Sequence, residues 1–340
     1  MKRAVTSLLV AASMIGLCAS VQAKAETLRM AHLWPSGSDV NQKIYQAWAD
    51  QVEEDSDGQL KVEIFPSQTL SKADQAYDAA VNGIADIAIT LQGYSAGRFP
   101  LTEIVQLPGV ANSASQGACI LQTLYDEGDI ATEYDDSHVL FLFTTGPAYL
   151  HTKETEIQTP EDLAGLRIRR PSEVAGEMLS SMGAEPIGMP APDIYTSLQR
   201  GVMDGLSFPW EAMKVFRINE LVDYHLQVPY YTGAIVATMS QSAYERLSPD
   251  MQAVIDQNSG MAWSQVAGEV FDQLDREGRQ EALDQGDVIH TVENPLDDPE
   301  WGPPLRQGTK NYLERLEERG LDNAESIYEK ALSIRERCSV

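Results

Sequence analysis

The spacing of apolar and polar residues alternates between two periods along the chain. Runs with period-2 alternation predict strands, and apolar positions three and four residues apart predict amphipathic helices. In the first hundred residues this pattern predicts strands over 27–33, 60–65 and 84–89, and helices over 39–54 and 72–81. Strands and helices that alternate at this spacing are typical of a parallel sheet with crossover helices.

The same alternation continues to the end of the chain without a low-complexity linker. The predicted strands are 139–143, 166–170, 185–189, 204–208, 224–230 and 234–239, and the predicted helices are 115–134, 173–182, 193–202 and one that begins at 209. One long helical pattern covers 248–284, where Gly260 or Gly268 permits a bend, and two further helices follow from 298. Two βα systems without a linker predict an α/β fold of two domains joined by crossing strands.

Three of four consecutive residues near the middle of the chain are arginines: Arg167, Arg169 and Arg170. A Thr-Pro helix start precedes them at Thr159, and Pro171 ends their predicted strand. Arg169 therefore lies near the carboxyl end of a strand, where open α/β sheets hold their ligands. A solvated edge strand that carries ordinary surface charges is the alternative.

Other candidate ligand contacts also lie at, or just after, the carboxyl ends of predicted strands. They are His32, Trp34, Gln92, Tyr94, Tyr149, Phe208 and Trp210. For His32 a partly buried structural role is the commoner outcome, and for Trp210 core packing is an equally good explanation.

The chain has 340 residues and a formal net charge of −26, with a pI near 4.4. This length is enough for two domains. Nucleic acids and anionic membranes require a basic face, so the charge argues against both as partners.

Residues 1–23 have the organisation of a cleavable export signal. Lys2 and Arg3 precede an apolar run that is too short to span a bilayer, and Ala23 ends a small-residue cleavage site. Leu17 is too large for lipoprotein processing at Cys18. We therefore expect a periplasmic protein without membrane insertion.

Two cysteines remain after cleavage, Cys119 and Cys338. An oxidising compartment permits a disulfide between them, but a single possible pair is not a framework. A buried thiol at 119 and a loose one near the C-terminus is the interpretation that the sequence favours.

Catalytic signatures are absent from the sequence, which contains no nucleophile elbow, zinc-protease motif, phosphate loop or dinucleotide fingerprint. The five histidines are scattered, so the sequence predicts no metal site, no cofactor and no enzyme activity.

Four blocks in this sequence together resemble the DctP-type solute-binding proteins of TRAP (tripartite ATP-independent periplasmic) transporters. They are GIADIA at 83–88, GYSAGRFPLTE at 93–103, LAGLRIR at 163–169 and YTSLQRGVMDG at 195–205. The resemblance covers nearly the whole mature chain and implies a two-domain periplasmic-binding-protein fold, type II-like, with crossing strands and a long bridging helix. The implied domains are 24–147 with 232–270, and 148–231 with 271–340.

The resemblance also implies a function: an extracytoplasmic receptor that delivers a small organic acid to the small and large TRAP membrane subunits. The arginine that pairs with the ligand carboxylate in this family matches Arg169, which leaves Arg167 and Arg170 as surface or supporting charges. A binding protein for an ABC importer or a sensor kinase, or a periplasmic hydrolase, is the alternative.

Two departures from the sialic-acid binders of that family bear on the ligand. Phe208 stands where they carry an asparagine, and residues 146–151 lack their second arginine. Both changes replace polar groups by apolar surface. We therefore expect a smaller or more apolar acid, such as an aromatic or branched carboxylate or a keto acid.

Overall fold

The computed structural model describes residues 25–338. The predicted export signal over 1–23, with Cys18, lies outside these residues. The described strands are β1 Glu26–His32, β2 Leu60–Phe65, β3 Ile87–Leu91, β4 Ser137–Pro147, β5 Tyr149–Thr152, β6 Arg167–Arg170, β7 Glu185–Gly188, β8 Gly205–Phe208, β9 Tyr224–Gln227, β10 Thr232–Ser240 and β11 Val288–Thr291. The described α-helices are α1 Ala47–Asp55, α2 Ala76–Val81, α3 Ala114–Asp126, α4 Glu173–Ser181, α5 Ile194–Gln199, α6 Trp210–Val215, α7 Gln241–Glu245, α8 Pro249–Gln257, α9 Met261–Gln285, α10 Gly302–Glu318 and α11 Ala324–Arg337.

The strands form two mixed sheets, each with helices packed against it. The first sheet has the order β2-β1-β3-β10-β4, and the second has the order β11-β9-β5-β8-β6-β7. The βα units form the parallel pairs that the sequence predicts, whereas β10 and β5 run antiparallel to their neighbours. The predicted two-domain α/β fold is therefore confirmed.

Two chain segments cross between the sheets side by side. Strand β4 of the first sheet passes through Ala148 alone into β5 of the second, and residues 228–231 lead back from β9 to β10. The Ala148 N–H donates to the Tyr231 carbonyl at 2.9 Å, so the two crossings are hydrogen-bonded to each other. The predicted residue bounds of the domains stay a prediction.

The single long helix predicted over 248–284 is two helices. The chain leaves α8 at Asn258 and re-enters a helix at Met261, because Gly260 has φ 69° and ψ −151°. Essentially only glycine adopts this conformation, so the helix breaks there instead of bending. Gly268 lies inside α9 and does not interrupt it.

Helix α9 contacts both halves of the fold at very short range. A Cβ at Gly268 would lie 2.7 Å from the Ser115 Cα in the first half. A Cβ at Gly278 would lie 2.3 Å from the Trp210 carbonyl oxygen in the second half. The predicted bridging helix is therefore present. Its two glycines allow the backbone of α9 to approach the start of a helix in each half.

One predicted helix ends earlier than its apolar pattern. The sequence predicts a helix over 115–134, but α3 ends at Asp126, and Gly128 with φ 89° turns the chain into a short 3-10 turn at Ala131–Tyr134. A glycine in the left-handed region just after a helix is a common stop signal.

The interpretation of Cys119 and Cys338 as separate thiols is wrong. Their sulfurs form a disulfide that joins α3 to the end of α11, with the two Cα atoms 5.8 Å apart. A separation of 219 residues gave no local signal for this pairing. The bond attaches the C-terminal helix to the first half of the fold.

We expect that the double substitution Cys119→Ser and Cys338→Ser lowers the free energy of unfolding by about 2–4 kcal/mol, because a cross-link of distant residues restricts the unfolded chain. Urea unfolding of the oxidised wild type and the variant measures the difference. Reduction of the wild type should reproduce the loss, whereas equal stability of all three samples would contradict the structural role of the disulfide.

Candidate functional site

A narrow cavity with about 20 Å³ of free space lies between the two sheets. That is about the space that one water molecule needs, so the two halves are closed against each other. Its wall includes residues at or just after the carboxyl ends of β1, β3, β6 and β8, the position that α/β sheets use for ligands. Five aromatic side chains line it: Trp34, Tyr94, Phe208, Phe216 and Tyr231.

Arg169 is the buried cation of this cavity. Its strand β6 lies between β8 and β7 inside the second sheet, and the residue is only 1% exposed. The edge-strand alternative is therefore wrong. Arg167 instead forms a half-exposed ion pair with Asp204, with Nη2 2.7 Å from Oδ1. Arg170 donates to the Ser172 carbonyl.

The hydrogen bonds of Arg169 all go to neutral oxygens. Nε donates to the Met189 carbonyl at 2.9 Å, and Nη1 donates to the Ser207 carbonyl at 3.2 Å. Nη2 donates to the Tyr94 hydroxyl at 3.2 Å. A guanidinium has five N–H groups, so one on Nη1 and one on Nη2 remain without a hydrogen bond to the described residues. Within residues 25–338 no carboxylate lies within 4.0 Å of this guanidinium.

Tyr94 links the two halves of the fold through its hydroxyl oxygen. It follows β3 of the first sheet, yet its oxygen accepts from Arg169 and, at 3.0 Å, from the Ala191 N–H of the second half. Both contacts use the oxygen as acceptor. The hydroxyl hydrogen therefore has no acceptor in the described part of the chain and is available to a ligand.

Glu211 also lines the cavity, and sequence reasoning missed it. It lies in the first turn of α6, where an acidic residue is an ordinary helix-dipole partner and gives no sign of a binding role. Only 3% of the residue is exposed, and Oε2 has no hydrogen-bond partner in the described structure. Burial raises the pKa of the Glu211 carboxyl well above its usual range, and the nearby Asp275 adds to the shift.

Tyr231 and Phe216 are two further cavity residues that the sequence did not reveal. Tyr231 lies on a crossing segment, and its hydroxyl contacts the Ser207 Oγ at 3.1 Å and the Ser207 carbonyl at 3.3 Å. Burial raises its pKa to about 12. Phe216 does not follow a predicted strand, whereas Tyr231 comes directly after the predicted strand 224–230 and was not selected.

Four of the predicted ligand contacts line the cavity together: Arg169, Trp34, Tyr94 and Phe208. The Arg169 guanidinium carbon lies 5.2 Å from the centre of the Phe208 ring, so the cation is stacked near an aromatic wall. Their contact with a ligand stays a prediction.

His32 and Gln92 are buried beside the cavity but do not line it. The His32 Nε2 is 2.8 Å from the Asn41 Oδ1, and burial lowers the His32 pKa to about 4. The Gln92 amide donates to the Tyr134 hydroxyl at 2.8 Å. Each side chain therefore has one protein partner, while the His32 Nδ1 and the Gln92 Oε1 are buried without a hydrogen bond to the described residues.

Trp210 and Tyr149 do not line the cavity either. Trp210 packs against the adjacent rings of His151 and His225, whose centres are 5.0 and 4.9 Å from its own. Tyr149 lines a separate cleft that includes Asn294 and Pro229. For these two residues and for His32 and Gln92, the structure shows no contact that supports a ligand role.

Two further observations concern the described residues as a whole. Residues 25–338 contain no group of three or more His, Cys, Asp or Glu side chains that could hold a metal ion. No helix in the same range has the length and apolar character needed to cross a bilayer.

Two α/β halves that are joined by crossing strands and enclose a cavity define a two-domain solute-binding receptor. The chain belongs to the DctP family, the bacterial extracellular solute-binding proteins of family 7, whose model matches residues 30–311. The predicted resemblance is confirmed. Members of this class are TRAP receptors that bind small organic acids and work with TRAP membrane components.

Solved structures and curated relatives are similar over most of the chain. A marine metagenome TRAP solute binding protein from an unidentified microbe is 33% identical to this chain and has a TM-score of 0.88. The match covers 93% of this chain and 100% of that protein. That protein is specific for aromatic acid ligands and holds 3-hydroxybenzoate. A TRAP solute binding protein from Rhodoferax ferrireducens is 30% identical, covers 92% and 98%, has a TM-score of 0.84 and holds copurified benzoate. A solute-binding protein of Roseobacter denitrificans is 26% identical over 64% of this chain and 68% of its own.

Proposed function

We propose that this protein is the periplasmic receptor of a TRAP transporter for a small aromatic carboxylate, which it delivers to the small and large membrane subunits. The observation that carries the proposal is Arg169, a buried cation without an acidic partner in an aromatic cavity. The export pattern of residues 1–23 supports the compartment.

A ligand carboxylate supplies what Arg169 lacks. Its two oxygens match two parallel N–H groups of a guanidinium, and Nη1 and Nη2 each keep one N–H for this purpose. Burial of an unpaired charge is costly, so a bound anion both satisfies the two donors and neutralises the cation. The Tyr94 hydroxyl can donate to the same carboxylate.

The remaining wall favours a flat apolar ring. Trp34, Tyr94, Phe208, Phe216 and Tyr231 offer ring faces and edges within a small cavity, and aromatic pairs gain energy beyond the area they bury. A large polyhydroxylated acid would need many polar partners that this wall does not provide. The two solved neighbours at 33% and 30% identity, which hold 3-hydroxybenzoate and benzoate, support the same ligand class.

The closed arrangement depends on a close backbone approach at Gly93. A Cβ at this position would lie 2.5 Å from the Ser172 Cβ and 2.8 Å from the Pro171 carbonyl oxygen. The loop after β3 can therefore lie against the start of α4, and place Tyr94 on Arg169, only because residue 93 is glycine. We infer that ligand binding closes the two halves through this contact.

A thermal-shift screen tests the ligand class. At 100 times its Kd, an aromatic acid such as benzoate or 3-hydroxybenzoate should stabilise the protein by about 2.7 kcal/mol. Glucuronate at the same concentration serves as the comparison and should have little effect. Stabilisation by glucuronate without stabilisation by the aromatic acids would contradict the proposed class.

We expect Arg169→Ala to weaken benzoate binding by about 3–5 kcal/mol, a hundredfold to several-thousandfold in Kd, because it removes the partner of a buried carboxylate. Arg169→Lys should also bind poorly, since an ammonium lacks the two parallel donors. Arg167→Ala is the control and should cost less than about 1 kcal/mol, because Arg167 forms a half-exposed ion pair. Calorimetry measures all three, and a folded Arg169→Ala protein within tenfold of wild type would refute the pairing.

Gly93→Ala should weaken benzoate binding at least tenfold, because the added methyl group meets the backbone of 171–172 and prevents closure. Gly37→Ala is the matched control, since a Cβ there has no atom within 4 Å. Calorimetry gives the two affinities, and small-angle scattering at saturating benzoate reports compaction. Equal affinity and compaction of the two variants would show that closure does not need this contact.

A further inference from the structure

The cavity contains a second buried polar group that the pairing with Arg169 does not use. Glu211 reaches it from α6, and it also borders the neighbouring cleft formed with 35–39. The two groups are unlike each other, one a cation and the other a carboxyl, and they face one ligand space.

The carboxyl of Glu211 is not occupied by the protein. Its backbone N–H donates to the Asp275 Oδ1 at 3.2 Å, so α9 caps this end of α6 and the Glu211 side chain is not needed for capping. The Oε2 atom is buried and has no hydrogen-bond partner in the described residues. Buried carboxyl oxygens nearly always have a partner, so this unpartnered oxygen, which borders the cavity, is a candidate contact for a ligand atom.

Arg169 does not pair with Glu211. Within the part of the chain that the structure describes, no nitrogen of Arg169 lies within 4.0 Å of a carboxylate oxygen, although both residues line the same space. The two polar groups therefore remain separate and can contact different parts of one ligand. Burial raises the pKa of Glu211 and so favours the protonated carboxyl, which has one O–H donor and further acceptor capacity. It can therefore bond a neutral hydroxyl group without repelling the ligand carboxylate.

We propose that Glu211 determines ligand specificity: its carboxyl hydrogen-bonds a hydroxyl substituent on the ring of the aromatic acid whose carboxylate Arg169 holds. This proposal rests on the proposed function and extends it from aromatic acids to hydroxylated aromatic acids. A site that bonds a ligand hydroxyl discriminates against the analogue without it, because the buried carboxyl is then left unpaired.

The test compares benzoate with its 2-, 3- and 4-hydroxy derivatives by calorimetry on wild type, Glu211→Met and Glu211→Gln. We expect at least one hydroxy isomer to bind wild type tenfold or more tightly than benzoate. Glu211→Met has similar length but no hydrogen-bonding carboxyl, so it should reduce this preference to less than threefold. Glu211→Gln keeps a donor and an acceptor and should retain most of the preference.

Glu103→Gln is the matched control. Glu103 is also a buried acid, 2% exposed, and burial raises its pKa to about 8, but it does not line the cavity. This variant should leave the preference unchanged. Thermal unfolding of each variant verifies the fold. If Glu211→Met is unstable, the test uses Glu211→Gln instead, and its preference for the hydroxy isomer over benzoate then has to match that of wild type.

The outcomes separate the two proposals. Wild type that prefers no hydroxy isomer, or a preference that survives Glu211→Met, overturns the role of Glu211 and leaves the aromatic-acid receptor intact. Wild type that binds none of the four acids overturns the proposed function, and the role of Glu211 with it. Loss of the preference in Glu211→Met alone supports both.

Discussion

The guanidinium of Arg169 is a positive charge that has been removed from water without an acidic partner. Its three hydrogen bonds go to two backbone carbonyls and to the Tyr94 hydroxyl, so the surrounding oxygens solvate the charge but do not neutralise it. A buried charge of this kind is costly unless it is paired. In the proposed function, the ligand carboxylate supplies the pair. Since Tyr94 comes from the opposite half of the fold, its hydrogen bond with Arg169 is also a contact between the two halves.

A small set of connections joins the two halves of the fold. The crossing segments are bonded to each other at Ala148, and α9 extends from one half to the other. Two acids one turn apart on α9 cap a helix in each half. Asp272 accepts from the Ala114 N–H at 2.6 Å at the start of α3, and Asp275 accepts from the Glu211 N–H at 3.2 Å in α6. Helix α9 is therefore held at both ends. A change in the angle between the halves then has to occur at the few residues between the sheets.

The polarity of the cavity separates two tasks. Arg169 provides a charge that any small carboxylate can use, and the aromatic wall accepts any flat ring of suitable size. Neither group distinguishes closely related acids. Glu211 provides a buried carboxyl on the same cavity, where burial and the nearby Asp275 both raise its pKa. In the proposed function, strong binding and fine discrimination thus come from different residues, because one interaction depends on charge and the other on a single hydrogen bond.

The sequence alone determined the βα order, the crossing of the chain between two domains and the position of Arg169 near the carboxyl end of a strand; that this strand is an interior one was decided by the structure. These properties follow from local periodicity and from residues such as Pro171 that act on their own strand. Only the tertiary structure decided which side chains meet across long separations in the chain. It turned His32 and Gln92 toward protein partners, although each lies at or just after the end of a strand, as Tyr94 does. It also decided the features with no local signal: the Cys119–Cys338 bond, the packing of Trp210 against two histidines and the burial of Glu211. Periodicity specifies the face on which a side chain lies, but the packing of a second element against that face decides whether the side chain meets ligand, protein or water.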